Sequence, residues 1–347
     1  NYNVANGFGA LYYNTTGNNN VANGNYSLYY NTTGFSNVAN GAFSLRYNTT
    51  GNGNVANGSY ALYRNNTGEE NLAAGYESLY YNTTGSRNTA SGAYSLHENT
   101  EGQTNTAAGG YSLYANTTGN ANNGIGYKAL YSNTTGRNNT ANGNNALYSN
   151  TEGENNAAFG YKSLYNTTTG SNNTAFGTNS LYFNTTGQFN SAFARNALFN
   201  NTIGSFNVAQ GQGALFNNTE GSNNVALGGD AGGSNLTGSG NVFVGRNAGY
   251  NETGSDTLYI ANNKNRPLLY GEFSTTAADN KLGIGTSSVA SGDTITVWNG
   301  AHLTTGGVWT NASSRELKQD IQSLSSEDAQ QTLAALSPVR YAYKNSP

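Results

Sequence analysis

The sequence is dominated by a 17-residue motif that begins at Asn3 and repeats without a gap to about residue 250. Its consensus is Asn-Val-Ala-Asn-Gly-x-x-Ser/Ala-Leu-Tyr-x-Asn-Thr-Thr-Gly-x-x, so equivalent residues of successive copies form columns. The strictest columns are asparagine (Asn3, Asn20, Asn37 and onward), leucine (Leu11, Leu28, Leu45 and onward) and glycine (Gly17, Gly34 and onward). A fixed period of this length is typical of a solenoid, in which each copy forms one coil stacked on the last.

The second copy predicts how one coil is built. Val21 and Ala22 begin an extended segment with alternating faces, and residues 27–30, Ser-Leu-Tyr-Tyr, have the composition of a second short strand. Residues 31–34, Asn-Thr-Thr-Gly, have the composition of a turn, with Gly34 supplying a positive φ. Each coil is therefore predicted to be strand, bend, strand and turn. The recurring glycines and asparagines disfavour helix, so the fold class is an all-β parallel β-helix.

The size of each column predicts its place in the coil. The columns that begin at Ala5, Gly7 and Ala10 hold only small residues through most of the repeats, so backbones are expected to pass close together there. Leucine is the one large apolar column and is expected to fill the core. The Asn3 column is equally compatible with a ladder of stacked amides and with a turn residue required for its φ.

An aromatic column begins at Tyr12 and is interrupted only by Arg46 and His97 among its first thirteen members. It either packs between chains or lies on the outer face, and we favour packing between chains. One leucine, one valine-like residue and one tyrosine per coil offer little burial against the entropy of ordering 17 residues. Sharing apolar columns between copies would offset that cost, so we expect a homotrimer.

Composition narrows the classes of function that remain. The net charge of −3 predicts no strong attraction to nucleic acid or to an anionic membrane. No apolar run approaches the roughly 20 residues of a membrane span. The chain has no cysteine, and neither His97 nor His302 has metal-ligand spacing around it, so no metal or cofactor is expected.

The spacing Asn-x-Ala-x-Gly-x-x-Ala/Ser resembles the head repeats of trimeric autotransporter adhesins, with three additional residues per coil. The fuller form in residues 173–187 resembles repeats of bacterial tail-fibre-like surface proteins. The resemblance implies an extracellular fibre or adhesin shaft, on a cell surface or a virion, with itself and cell-surface glycans or a receptor as partners. Two alternatives remain: a monomeric solenoid that binds ice or glycans, and a fibre that carries a self-cleaving module whose catalysis is its purpose.

We divide the chain into a repeat shaft (1–256), a β collar (257–311) and a small α+β segment (312–347). Strands are predicted in residues 266–273, 281–285 and 294–298. In the third part, residues 325–328, Ser-Ser-Glu-Asp, form a capping box before a helix to residue 336, and a strand is predicted at 339–343. A shorter helical turn is predicted at 315–321.

The stretch from Ser313 to Ile321, Ser-Ser-Arg-Glu-Leu-Lys-Gln-Asp-Ile, resembles the start of the self-cleaving intramolecular chaperone domain of phage tail fibres and tailspikes. The resemblance implies that Ser313 attacks the bond after Ala312 and that Lys318 is the base. Ser314 replaces the family's usual Asp, and Glu316 replaces a frequent Arg. We therefore expect a trimerisation and folding element in which cleavage is absent or incomplete. Ser313 also fits the N-cap of the helical turn, and the two roles are compatible.

Overall fold

The computed structural model describes residues 2–310, 325–327 and 330–331, and residues 2–256 wind into a solenoid. Each of the first fifteen coils contributes one three-residue strand. These strands are β1 Val4–Asn6, β2 Val21–Asn23, β3 Val38–Asn40, β4 Val55–Asn57, β5 Leu72–Ala74, β6 Thr89–Ser91, β7 Thr106–Ala108, β8 Asn123–Ile125, β9 Thr140–Asn142, β10 Ala157–Phe159, β11 Thr174–Phe176, β12 Ser191–Phe193, β13 Val208–Gln210, β14 Val225–Leu227 and β15 Val242–Val244.

Every strand from β1 to β14 pairs in parallel with the next, between residues 17 apart. Val21 pairs with Val38 and Ala22 with Ala39, and the same register holds up to the pairing of β14 with β15. Backbone hydrogen bonds also join neighbouring coils outside the strands, as from the Leu11 N–H to the Ser27 carbonyl at 3.1 Å. The prediction of an all-β parallel solenoid of 17-residue coils is confirmed.

The predicted second strand of each coil is wrong. Residues 25–30 form continuous turns, in which Tyr26 has a φ of 56° and Leu28 a φ of 47°. An extended segment would point Ser27 and Leu28 to opposite faces, whereas both side chains are fully buried in the structure. The two left-handed residues curl the backbone so that consecutive side chains point inward.

The role predicted for Gly34 is also wrong, because this glycine has no positive φ. A Cβ placed on Gly34 would lie 2.5 Å from the Gly51 carbonyl oxygen in the next coil. The column is therefore glycine because neighbouring turns leave no room for a side chain. In the strand-end column, Gly24 combines both demands, with a φ of 145° and the backbone of Gly41 directly against it.

The core of the solenoid is two columns of apolar side chains. The leucines from Leu28 to Leu215 and the alanines from Ala22 to Ala226 are fully buried. Gly124 takes the place of one alanine in its column and is also buried. The third small column is alanine or serine, and Ser27 places its hydroxyl within the coil by donating to the Gly24 carbonyl at 2.9 Å. The core is thus one leucine wide and runs the length of the shaft.

Two columns of buried asparagine connect the turns. The Asn20 amide donates from Nδ2 to the Gly34 carbonyl at 2.8 Å, and its Oδ1 accepts from the Asn37 backbone N–H at 2.9 Å. In the second column, Asn31 Nδ2 donates to Asn14 Oδ1 at 2.7 Å and to the Gly34 carbonyl at 3.0 Å. Asn20 and Asn37 have no positive φ, so their place in the column follows from hydrogen bonding rather than from a left-handed backbone.

In the last two coils the large side chain stands in the alanine column and glycine stands in the leucine column. Phe243 occupies the alanine column, while Gly232 and Gly249 occupy the leucine column. Phe243 is fully buried, and a Cβ on Gly232 would lie 2.5 Å from its ring. The phenyl ring therefore fills the space that two leucines leave.

The sheet changes direction after the solenoid. Parallel pairing continues from β15 to β16 (Thr257–Ile260), and β17 (Leu269–Glu272) and β18 (Lys281–Ile284) then add antiparallel. The remaining strands of the described residues are β19 Asp293–Val297, β20 His302–Thr304 and β21 Trp309–Thr310, and a 3₁₀ turn spans Ala277–Asp279. Strands β17, β18 and β19 overlap the three segments where the sequence predicted them. Residues 326–327 and 330–331, within the predicted helix, are helical.

Candidate interaction face

One side of the shaft carries three neighbouring side-chain columns, which in the second coil are Tyr26, Tyr29 and Tyr30. We call these three columns together the aromatic face. The ring centroids lie 5.3 Å apart for Tyr26 and Tyr29 and 4.7 Å apart for Tyr29 and Tyr30. Both pairs meet edge to face, so the three rings form one contiguous apolar patch in this coil.

The central column, that of Tyr29, is an aromatic ladder from Tyr12 to Phe216. Successive rings are nearly parallel, at 5.1 Å and 5° for Tyr131 and Tyr148 and at 5.1 Å and 5° for Phe199 and Phe216. Each ring covers the face of the next, so the ladder presents ring edges and phenolic hydroxyls to its surroundings. In the single chain this column lies at the surface and is partly buried.

The outer columns are aromatic mainly in the first seven coils. They are lined there by aromatic residues such as Phe43 and Tyr47 in the third coil, and further along by polar ones such as Lys128 and Ser132 in the eighth. The second coil has a ring in all three columns, and most other coils among the first seven have two. Beyond them the face narrows mainly to the central ladder.

The two interruptions of the central ladder are planar groups that contact neighbouring rings. The Arg46 guanidinium lies 5.1 Å from the Tyr26 ring centroid and 5.7 Å from that of Tyr29. His97 stacks between Tyr80 and Tyr114, at 5.3 Å and 5.1 Å. Cation–π attraction and ring stacking thus replace the missing tyrosines.

The charged groups on the aromatic face have partners within the face. His97 contacts Glu98 Oε1 through Nδ1 at 2.8 Å and Glu77 Oε2 through Nε2 at 3.2 Å. The Lys128 ammonium lies 5.2 Å from the Tyr131 ring centroid, and that of Lys162 lies 5.3 Å from the Tyr165 centroid. A hydrogen bond with Tyr161 is the main cause that raises the pKa of Lys162.

The packing of the face also raises the pKa of its phenols. Burial is the largest cause of the raised pKa of Tyr63, Tyr80 and Tyr114. Beside the face, a hydrogen bond with Glu77, followed by desolvation, raises the pKa of Tyr76 to about 12. A tyrosine of ordinary pKa is already neutral at pH 7, and these shifts extend the neutral form further into alkali.

A shallow groove runs along the edge of the face beside the Tyr30 column. One part, of about 610 Å³, is lined by Tyr30, Tyr47, Thr32 and neighbours, and an adjoining part of about 480 Å³ extends to Arg64. The Thr32 hydroxyl is turned away from solvent, because it donates to the Thr49 carbonyl at 3.0 Å. The groove is consequently a mainly apolar channel along the shaft axis.

A second concave site lies where the shaft meets the collar strands. It has a volume of about 860 Å³, and its lining includes Ile260, Leu268, Arg266 and Trp298. Trp298 lies over Gly285, where a Cβ would come within 3.1 Å of the indole, and it remains 76% exposed. The site is an open apolar depression with one arginine at its rim.

The residues predicted from sequence fall into two groups. The structure buries the predicted ladder residues of the coils inside the shaft, whereas Asn3 in the first coil is half-buried; the buried ones are Leu11, Gly17, Asn20, Leu28, Gly34, Asn37 and Leu45. Ser313 and Lys318 lie outside the described residues. One aromatic column was predicted from the sequence, and the two beside it were not. The recurrence of aromatic residues 17 apart in the columns of Tyr26 and Tyr30 could have indicated them.

No known protein family, curated protein or solved structure matches this chain. Within the described part of the chain, no cluster of three His, Cys, Asp or Glu could hold a metal ion. A search of the same residues finds no helix long and apolar enough to cross a membrane.

Proposed function

We propose that this protein is the shaft of an extracellular fibre or adhesin, whose copies associate side by side. The observation that carries the proposal is the continuous stack of fifteen coils, each bonded only to the coils before and after it. At about 4.8 Å per coil, this stack makes a straight rod of about 70 Å. Such a repeat serves best as a spacer, because its length can grow without a change in its cross-section.

The aromatic face supports association between copies. A surface strip of ring edges running along a rod is costly to leave in water, and contiguous apolar patches on soluble chains mark interaction sites. A homotrimer is the assembly that we propose. The further partners that we propose for such a fibre are cell-surface glycans or a receptor.

Two measurements test the proposal. Light scattering on purified protein should give the mass of three chains of 36.3 kDa, and electron microscopy should show rods with a shaft of about 70 Å. A single-chain mass at every concentration would favour the monomeric ice- or glycan-binding solenoid instead. A compact particle without a rod would contradict both readings.

We further propose that residues 312–347 register the chains during assembly, on the sequence resemblance to self-cleaving chaperone domains. Three chains that must align long repeats benefit from one terminal nucleus, because out-of-register pairing by one coil satisfies most contacts. Mass spectrometry tests the associated cleavage. A fragment that begins at Ser313, absent from a Ser313→Ala variant and from a Lys318→Ala variant, would establish it; an intact chain in all three proteins would show that the segment acts without cleavage.

A further inference from the structure

We propose that the aromatic face is the surface through which the chains contact one another, and that its partner is a second, parallel copy of this chain in axial register. This inference rests on the proposed side-by-side association and specifies the surface that performs it. Three properties of the face lead to it: the orientation of its rings, its repeat along the axis and the state of its charges.

The orientation of the rings selects the kind of partner. A carbohydrate platform needs exposed ring faces on which sugar C–H groups can stack. Here the rings of Tyr131 and Tyr148 are 5° from parallel and 5.1 Å apart, so each face is covered by its neighbour. Ring edges and hydroxyls remain free, and these pack well against the edges and faces of other aromatic side chains.

The repeat of the face selects the identity of the partner. The central ladder offers a ring at every coil step from Tyr12 to Phe216, interrupted by one guanidinium and one imidazole. Twelve such steps of about 4.8 Å extend for about 60 Å. A partner can match that spacing along the whole length only if it has the same repeat, and a second copy of this chain has it.

The gradient along the face selects the direction of the partner. The face has at least two rings in most of the first seven coils, with three at Tyr26, Tyr29 and Tyr30, and its edges are mainly polar from Lys128 and Ser132 onward. Parallel copies in register place aromatic coils against aromatic coils and polar against polar. Antiparallel copies would place the widest apolar part against lysine, asparagine and serine.

The charged groups of the face contact other groups of the face. The Arg46 guanidinium lies within 5.1–5.7 Å of four ring centroids, and its Nε is buried without a hydrogen-bond partner. His97 contacts both Glu77 and Glu98, and a protonated imidazole balances one of these two carboxylate charges. Such contacts lower the cost of removing the face from water. Arg64 and Glu77 lie on opposite edges in adjacent coils, so a parallel copy can bring its Arg64 edge toward the carboxylate charge that His97 leaves unbalanced.

The size of the face suits a contact that also uses the surface beside it. The two lateral ring spacings of the second coil sum to about 10 Å, and the central ladder is about 60 Å long. Because the aromatic part narrows to the ladder along the shaft, its area is on the order of a few hundred Å². A standard protein interface buries about 800 Å² per partner, so the contact would include the polar edges of the face and the groove beside Tyr30.

The test compares two double variants by light scattering over a range of concentrations. Tyr30→Ser/Tyr47→Ser removes two rings from the edge of the face, with a residue that the chain itself uses in the same column at Ser132. The matched control Phe189→Asn/Phe206→Asn removes a stacked pair away from the face, with a residue used in that column at Asn172. We expect the first to weaken association at least about tenfold and the second to leave it unchanged.

A labelling measurement covers the case in which the first variant misfolds. The chain has no cysteine, so Ser132→Cys places one thiol on the face and Thr135→Cys places one at an exposed turn position of the same coil. In the assembly, maleimide should react more slowly with the cysteine at 132 than it does after dilution to single chains, whereas the rate at 135 should not depend on concentration.

The outcomes separate this inference from the proposed function. An oligomer that is unaffected by Tyr30→Ser/Tyr47→Ser, with a labelling rate at 132 that does not change on dilution, would overturn the face as the contact surface and leave the assembled rod in place. A wild-type protein that stays a single chain at all concentrations would overturn side-by-side association itself and, with it, the contact.

Discussion

The Oδ1 atom of Asn71 accepts two hydrogen bonds from Asn88 in the next coil, one from the backbone N–H at 2.9 Å and one from Nδ2 at 3.2 Å. Asn88 Nδ2 also donates to the Gly102 carbonyl at 2.8 Å, and both asparagines are almost completely buried. One amide therefore satisfies backbone groups in two places, which no other side chain of this size can do.

Asn88→Asp should therefore destabilise the shaft at neutral pH. The carboxylate keeps the acceptor but loses the donor, and it buries a charge beside the Gly102 carbonyl, for a cost of about 2–4 kcal/mol in the free energy of unfolding. Denaturant titration followed by circular dichroism measures it. Protonation restores one donor, so the loss should shrink at acid pH. The exposed control Asn138→Asp should change little, and equal effects of the two variants would contradict the role of the ladder.

Gly102→Ala should be among the most damaging single changes in the shaft. A Cβ there would lie 2.5 Å from the Gly119 carbonyl oxygen, which belongs to backbone and cannot move aside without separating two coils. We expect a loss of about 3 kcal/mol or more in thermal or denaturant unfolding. Gly110→Ala is the control, because the nearest atom to its Cβ would be 3.6 Å away and Ala93 already occupies the same column. A similar loss from both would show that the close approach is not the cause.

At position 113, a glycine variant should be at least as stable as an alanine variant, which reverses the usual order of stability. The φ of Leu113 is 51°, a left-handed conformation that costs a residue with a Cβ about 1 kcal/mol. Leu113→Ala loses the buried side chain and keeps that strain, at about 2–5 kcal/mol, whereas Leu113→Gly loses the side chain and relieves the strain. Leu113→Gly should then be at least as stable as Leu113→Ala. Ala74 has an ordinary strand φ, so Ala74→Gly should be less stable than the wild-type protein. A stabilising effect of Ala74→Gly would argue against this account.

Stability should decline in alkali above the ordinary tyrosine range. The Tyr76 pKa is raised to about 12 from 10.0 chiefly by the hydrogen bond with Glu77, so its neutral form is favoured in the folded chain. That contribution is complete below pH 10 and is lost as pH rises through 12. The difference in phenolate absorbance between wild type and Tyr76→Phe should titrate near pH 12, and Glu77→Gln should lower the midpoint. A midpoint near 10 in the wild type would contradict the effect of Glu77.

The period of the sequence predicted the solenoid, because a column of like residues at fixed spacing admits few other folds. It did not predict the path of the backbone between strands. The composition of residues 27–30 suits a strand, yet Leu28 adopts a left-handed φ because Ser27 and Leu28 must both face the core. That requirement is set by the neighbouring coils and is invisible in one copy. The same holds for Gly34, whose constraint is the backbone of the next turn.

The aromatic face as a whole could likewise not be predicted from the sequence. The column of Tyr12 could be seen in the sequence, but its neighbours become one surface only when the bend at Leu28 brings Tyr26 beside Tyr29. A strand through these residues would have separated them. Recognition of the face therefore required the conformation that sequence reasoning missed.

The register of 17 residues, kept from β1 to β15 without a single offset, makes shaft length a modular quantity. Removing or duplicating whole coils leaves every remaining residue with the same neighbours, whereas an insertion of any other size displaces all later columns from their partners. A repeat of this kind can therefore gain or lose whole coils, and the length of the solenoid then changes while its cross-section stays constant.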